Sequence, residues 1–214
     1  EALKFYDILT SDKLTDREKE IYEQLITVDK TGQGIYAMSD AVLLTSHKVL
    51  SRLLGKHYGS KVILLIDEYD VPLDKAFQSG YYEEMVSLVR GLLGNVLKTN
   101  EYLQFAVLTG CLRISRESIF TGLNNLNVMT VTDEYFADSF GFTNQEVEEL
   151  LEYYGLEDAI GTVKEWYDGY LFGGTYVYCP WDVVKYCQAL LRNKNALPEN
   201  YWANTSGNEM VRRF

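Results

Sequence analysis

The chain has 214 residues, of which 47% are hydrophobic and 24% are charged. This composition is typical of a folded protein with one or two domains, and it excludes a disordered tail or a fibre. The formal net charge of −11 disfavours binding to the phosphate backbone of DNA or RNA. The sequence has neither an apolar run of about 20 residues nor a signal peptide, so we expect a soluble cytoplasmic protein without membrane segments.

Cysteines and histidines are too few, and wrongly spaced, for a familiar metal site. Cys111, Cys179 and Cys187 fit no zinc-binding spacing, and we expect them to be free thiols. The chain has only two histidines, which excludes a histidine-rich metal centre.

The first part of the chain is predicted to be helical. A capping box of Thr15 and Glu18 begins an amphipathic helix. A longer helix with a wide apolar face begins after Ser39 and ends at Gly59. These helices predict a helical N-terminal segment over residues 1–58.

The middle of the chain, residues 59–140, is predicted to be an α/β core. Residues 62–66 are an unbroken apolar run, which predicts a strand buried on both faces of a parallel sheet. A helix over 81–98 and a second buried strand over 103–108 complete a βαβ crossover. Residues 128–131 are a candidate for a third, short strand.

The last part, residues 141–214, is predicted to be an all-helical subdomain. Thr143 and Glu146 form a second capping box at the start of an amphipathic helix. Two further helices are predicted over 157–167 and 180–191, joined by a turn-rich segment.

Two adjacent carboxylates, Asp67 and Glu68, follow the first predicted strand directly. Ligands of open parallel sheets bind beyond the carboxyl ends of the strands, where these acids would lie. In a nucleotide hydrolase, Asp67 would hold Mg²⁺ and Glu68 would polarise the attacking water. The alternative is that both acids merely begin a solvated surface loop that continues through Asp70 and Asp74.

The second predicted strand ends near a hydroxyl and a cation, Thr109 and Arg113. At the same edge of the sheet they could contact a γ-phosphate, or they could be ordinary capping and ion-pair residues. The 214 residues contain no Gly-x-x-x-x-Gly-Lys-Ser/Thr loop. We therefore expect this chain to bind ATP poorly by itself.

Several segments in one order resemble the AAA-ATPase-like family of bacterial P-loop proteins, which often carry a restriction-endonuclease-like C-terminal domain. The resemblance rests on the segments LIDEYDVPLDKA (65–76), FAVLTGCLRIS (105–115), SIFTGLNN (118–125), FGFT (140–143), EWYDGY (165–170) and YCPW (178–181).

This resemblance implies a P-loop NTPase-like parallel sheet flanked by helices, followed by a helical lid after Phe140. It implies that Asp67 and Glu68 are the Walker B pair, with Glu68 catalytic and Asp67 the metal ligand. It also implies that Thr109 and Arg113 belong to a sensor-like segment near the nucleotide, and that ATP and Mg²⁺ are cofactors of the complete protein.

The resemblance further implies that the phosphate-binding loop, or Walker A segment, precedes Glu1. Without the strand that enters this loop, the strand over 103–108 would have an open edge. We predict that another segment, a neighbouring chain or a rearranged strand pairs with it, and a homo-oligomer is one such arrangement. A non-catalytic protein-interaction module is the alternative function, since 17 Tyr and 3 Trp favour interfaces.

Overall fold

A computed structural model of the chain describes residues 1–28, 38–111, 119–120 and 122–203. The protein is of the α/β class and divides into two compact units, Glu1–Leu126 (unit 1) and Asn127–Phe214 (unit 2). The predicted divisions after residues 58 and 140 stay predictions. None of the helices in the described ranges combines the length and the apolar character that crossing a bilayer requires.

Unit 1 contains two short 3-10 helices, four α-helices and two strands among its described residues. In chain order they are the 3-10 helices Ala2–Lys4 and Tyr6–Thr10, then α1 (Asp16–Ile26), α2 (Asp40–Tyr58), β1 (Val62–Ile66), α3 (Val71–Ser79), α4 (Tyr82–Leu97) and β2 (Leu103–Leu108). The described part of unit 2 consists of α5 (Asn144–Tyr154), a 3-10 helix Glu157–Ala159, α6 (Ile160–Tyr167), β3 (Asp168–Phe172), β4 (Thr175–Tyr178) and α7 (Pro180–Arg192).

Both predicted capping boxes are confirmed. At α1, the Glu18 backbone N–H donates to the Thr15 hydroxyl at 3.3 Å, and the Glu18 carboxylate accepts the Thr15 N–H at 3.2 Å. Thr143 and Glu146 make the same exchange at α5, at 3.3 and 2.8 Å. Gly59 ends α2 with a φ of +72°, in the left-handed conformation that glycine adopts without steric cost.

The predicted strand–helix–strand order is confirmed, with β1 and β2 paired in parallel. The expectation that both strands are buried on both faces is wrong. Side chains alternate between the faces of a sheet, and the exposed hydrophobic ones belong to one face: Ile63 (47%), Leu65 (72%), Phe105 (48%) and Val107 (46%). We call these four residues the open face.

The other face of this sheet is packed against the helices of unit 1. Val62 packs against a core cluster that contains Leu53 of α2. Ile66 and Leu108 pack against a second cluster that contains Leu93 of α4. The helices therefore cover one face of the sheet, which is the physical reason that the open face stays exposed among the described residues.

The short strand expected over 128–131 is wrong, because the chain turns there. The Asp133 carboxylate accepts the backbone N–H of Thr130 at 2.6 Å and its hydroxyl at 2.9 Å. The N–H that a strand ladder would use is thereby committed to a local turn.

The prediction that residues 141–214 are all helical is also wrong, since β3 and β4 form an antiparallel hairpin. Gly173 and Gly174 connect the strands with φ angles of +49° and +89°. Positive φ at both positions of a two-residue turn is what a tight hairpin needs, and glycine permits it. The aromatic residues on either side of the turn favour strands over helices.

One hydrophobic core holds the described residues of unit 2 together. It joins α5, α6, β4 and α7, whose fully buried residues include Val147, Leu151, Val163, Tyr178 and Val183.

Candidate functional site

The carboxyl ends of β1 and β2 bring predicted site residues together. Ile66 lies opposite Leu108 in the parallel register. One residue further on, the Thr109 N–H donates to the Ile66 carbonyl at 2.9 Å, and the Tyr69 N–H donates to the Thr109 carbonyl at 3.0 Å. The two segments therefore stay paired beyond the strands, and their side chains meet at one edge of the sheet.

The hydroxyl of Thr109 connects both Walker B candidates. It donates a hydrogen bond to the Asp67 carboxylate. It also accepts the backbone N–H of Glu68 at 3.3 Å. Asp67, Glu68 and Thr109 are all exposed, so a ligand in solution can reach their oxygen atoms.

Glu68 has an unusual backbone conformation, with a φ of +52°. Residues other than glycine seldom adopt this left-handed region. Such conformations cluster at functional sites because the surrounding structure must hold them. In this loop the hydrogen bonds on either side, at Glu68 N–H and Tyr69 N–H, hold the backbone in place.

Asp70 and Gly110, which sequence reasoning did not assign to the site, join the two loops beyond the strands. Asp70 is 1% exposed, and its carboxylate accepts the Cys111 backbone N–H at 2.9 Å. A Cβ atom on Gly110 would lie 2.6 Å from the Tyr69 ring and 2.9 Å from the Asp70 carboxylate. The close approach of the loops therefore depends on a buried acid and on a glycine. The sequence feature that could have identified Asp70 is its position directly before a helix whose first turn contains Pro72.

The edge is electronegative, which favours a cation. The pKa of the Cys111 thiol is raised, first by its partial burial and then by the negative charges of Asp70, Glu68 and Asp67. Among the described residues, no three His, Cys, Asp or Glu side chains come together as a metal-binding group. Mg²⁺ usually takes only one or two protein carboxylates and completes its shell with water and phosphate oxygens, and Asp67 is suited to be one of them.

Arg113, the predicted γ-phosphate contact, lies outside the described residues. The other predicted site residues, Asp67, Glu68 and Thr109, lie together at the shared edge of β1 and β2.

Comparisons with known proteins give a family and one relative. The model of a family described as "Predicted AAA-ATPase" matches residues 5–120. A curated relative from Azotobacter chroococcum mcd 1, "Uncharacterized protein in vnfD 5'region", is 32% identical over 193 residues. The match covers 89% of this chain and 35% of the relative, so the chain spans about a third of that protein's length. No solved structure matches the chain.

Proposed function

Because residues 5–120 match its model, the chain belongs to the AAA-ATPase-like family of predicted AAA-ATPases, and we propose that it forms the core and lid of an ATP-hydrolysing protein. In this proposal β1 and β2 are two strands of a P-loop NTPase-like sheet, and residues 141–214 are the lid. The observation that carries the proposal is the hydrogen bond between Thr109 and Asp67 at the shared edge of two parallel strands.

The residues at this edge fit Mg²⁺ and a nucleotide chemically. Asp67 is an exposed carboxylate in an electronegative environment, which suits a hard cation. When bound, Mg²⁺ would neutralise charge on the phosphate oxygens. Asp67 would hold the ion, and the Thr109 hydroxyl would fix the orientation of that carboxylate.

Glu68 is the proposed general base. Its backbone is held beside Thr109, and its exposed carboxylate would accept the proton of the attacking water. Arg113 would contact the γ-phosphate. A phosphate-binding loop from another segment of the complete protein would hold the β- and γ-phosphates, so the chain alone is proposed to be inactive.

Two substitutions in the full-length protein test this assignment. Asp67→Ala should abolish ATP hydrolysis, because the ion loses its protein ligand. Glu68→Gln should retain nucleotide binding but slow hydrolysis by at least about 100-fold, because the base is lost. Phosphate release measures turnover, and a fluorescent ATP analogue measures binding.

The matched control is Glu101→Gln, which makes the same carboxylate-to-amide change at the opposite end of β2 and should leave turnover unchanged. Normal turnover in both Asp67→Ala and Glu68→Gln would refute the catalytic assignment.

A protein-interaction module is the second candidate function, and the open face favours it. Four aliphatic or aromatic side chains, between 46% and 72% exposed, form one apolar surface on neighbouring strands. Calorimetric titration of the full-length protein with ATP and Mg²⁺ separates the two candidates, because a module without a nucleotide site would take up neither.

A further inference from the structure

Unit 2 contains a crevice that the proposed ATPase chemistry does not use. It has a volume of about 330 Å³ and lies where α6 runs into β3, beside the start of α7. Its size is at the lower end of the range for small-ligand sites. The lining includes Trp166, Tyr167, Asp168, Tyr170, Asp182 and Asn200.

Aromatic rings line the crevice, and the Tyr167 ring among them is held in place by hydrogen bonds and packing. Trp166 is 52% exposed and Tyr170 is 46% exposed, so a ligand can reach their rings. Tyr167 is buried, and its hydroxyl donates to the Glu199 carbonyl at 3.0 Å and accepts the Glu199 N–H at 3.2 Å. The Tyr167 ring also packs against Tyr186, with 5.7 Å between the ring centroids. The protein itself therefore fixes the position of the Tyr167 ring.

The charge of the crevice is negative. Among the described residues that line it, Asp168 and Asp182 carry charge, and Lys and Arg are absent. Asp168 is exposed, whereas Asp182 is only 7% exposed and accepts the Trp202 backbone N–H at 2.9 Å. The pKa of Tyr167 is raised, mainly by burial and in smaller part by its neighbours Tyr201 and Asp182. An anion would therefore be repelled.

We propose that this crevice binds a guanidinium or alkylammonium group. A cation over an aromatic ring is attracted by the electrons of the ring face. A planar guanidinium can stack on Trp166 and at the same time donate hydrogen bonds to the Asp168 carboxylate, which makes an arginine-like group the better ligand. The inference is independent of the ATPase proposal, because none of these residues belongs to the edge of β1 and β2.

The first test uses two ligands of nearly equal shape and different charge. N-acetyl-arginine amide and N-acetyl-citrulline amide, called arginine amide and citrulline amide below, are titrated into the 214-residue chain and followed by calorimetry. Acetylation removes the α-ammonium charge from both ligands, so that they differ in side-chain charge alone. Arginine amide should bind at least about fivefold more tightly, because only its side chain offers a cation to the rings and carboxylates. Added salt should weaken its binding. Equal affinity of the two ligands, or no binding of either, would overturn the proposal.

The second test uses exposed side chains, whose replacement leaves the core intact. Trp166→Leu and Asp168→Asn should each weaken arginine amide binding by about three- to tenfold. The controls in the same unit are Tyr153→Leu, at a side chain 80% exposed, and Glu157→Gln, and both should bind normally. Equal effects of site and control variants would contradict the assignment.

A third titration distinguishes the source of the cation. A short peptide with one central arginine is compared with arginine amide. Tighter binding of the peptide assigns the crevice to a basic segment of a protein partner. Equal affinity assigns it to a free small cation.

Discussion

The two sheets in the described part of the chain differ in the polarity of their exposed side chains. In the parallel pair of unit 1, the exposed residues include Leu65 and Val107, which have no polar atom in their side chains. In the hairpin of unit 2, Leu171 is also exposed, but the exposed residues Tyr170 and Tyr176 carry hydroxyls that water can hydrate. Unbroken aliphatic strands are typical of sheets that are covered on both faces. The comparison teaches that most exposed side chains of the hairpin can hydrogen-bond with water, whereas the open face of β1 and β2 is entirely apolar, as in strands that a second layer covers.

The largest expected effect on stability comes from replacing a leucine by alanine in the core of unit 2, compared with the same replacement on the open face of unit 1. Leu151→Ala in the core of unit 2, where the side chain is 1% exposed, should lower the free energy of unfolding by about 2–5 kcal/mol. Leu65→Ala on the open face, 72% exposed, should change it by less than about 0.5 kcal/mol. Urea unfolding followed by circular dichroism measures both.

The proposal that another segment of a complete protein adds to this sheet can be tested on the same comparison, with the complete protein in place of the 214-residue chain. If Leu65→Ala costs as much there as Leu151→Ala, another layer covers the open face in the complete protein. The same loss in the 214-residue chain would show that the Leu65 side chain is already buried without any added layer, which would contradict its exposure on the open face.

A smaller effect is expected at two glycines. Gly110→Ala in unit 1 should cost about 1–3 kcal/mol, because its Cβ would collide with the Tyr69 ring and the buried Asp70 carboxylate. Gly161→Ala in α6 of unit 2 meets no atom within 4 Å and should stabilise the helix by about 0.5–1 kcal/mol. Thermal unfolding gives the sign of each change. A neutral Gly110→Ala would show that the two loops are free to separate.

The smallest effect concerns pH and the capping box of unit 1. Lys56 lies 2.6 Å from Glu18, and this hydrogen bond is the main reason that the pKa of Glu18 falls below 4.5, its ordinary value. A lowered folded-state pKa adds stability above pH 4.5, and this contribution disappears as the pH falls through the folded pKa. Glu18→Gln should therefore cost about 0.5 kcal/mol at pH 7, allowing for solvent at the lysine, and nothing at pH 2.

The partner variant checks the cause of this pH dependence. Lys56→Met keeps the capping box but removes the cation, so unfolding measured from pH 7 down to pH 2 should lose most of the Glu18 contribution. An unchanged pH profile in Lys56→Met would assign the lowered pKa to the capping box alone.

The sequence predicted correctly the features that depend on residues close together along the chain. Both capping boxes join residues three positions apart, so Thr15 and Thr143 marked their helix starts correctly. The family resemblance is confirmed for the same reason, since it rests on contiguous motifs. The hairpin of unit 2 lies in the turn-rich segment that the sequence predicts between two helices, and it differs from that prediction because Gly173 and Gly174 form the tight turn of a pair of short strands.

The sequence by itself determined that Asp67 and Glu68 follow a strand, because an unbroken apolar run ends directly before them. Only the tertiary structure decided which partner the acids meet, since the Thr109 hydroxyl that contacts Asp67 lies 42 residues further along the chain. It also decided that Asp70 is buried while Leu65 is exposed. Burial depends on which helices pack against each face of a sheet, and that packing is set by contacts between distant segments rather than by local sequence.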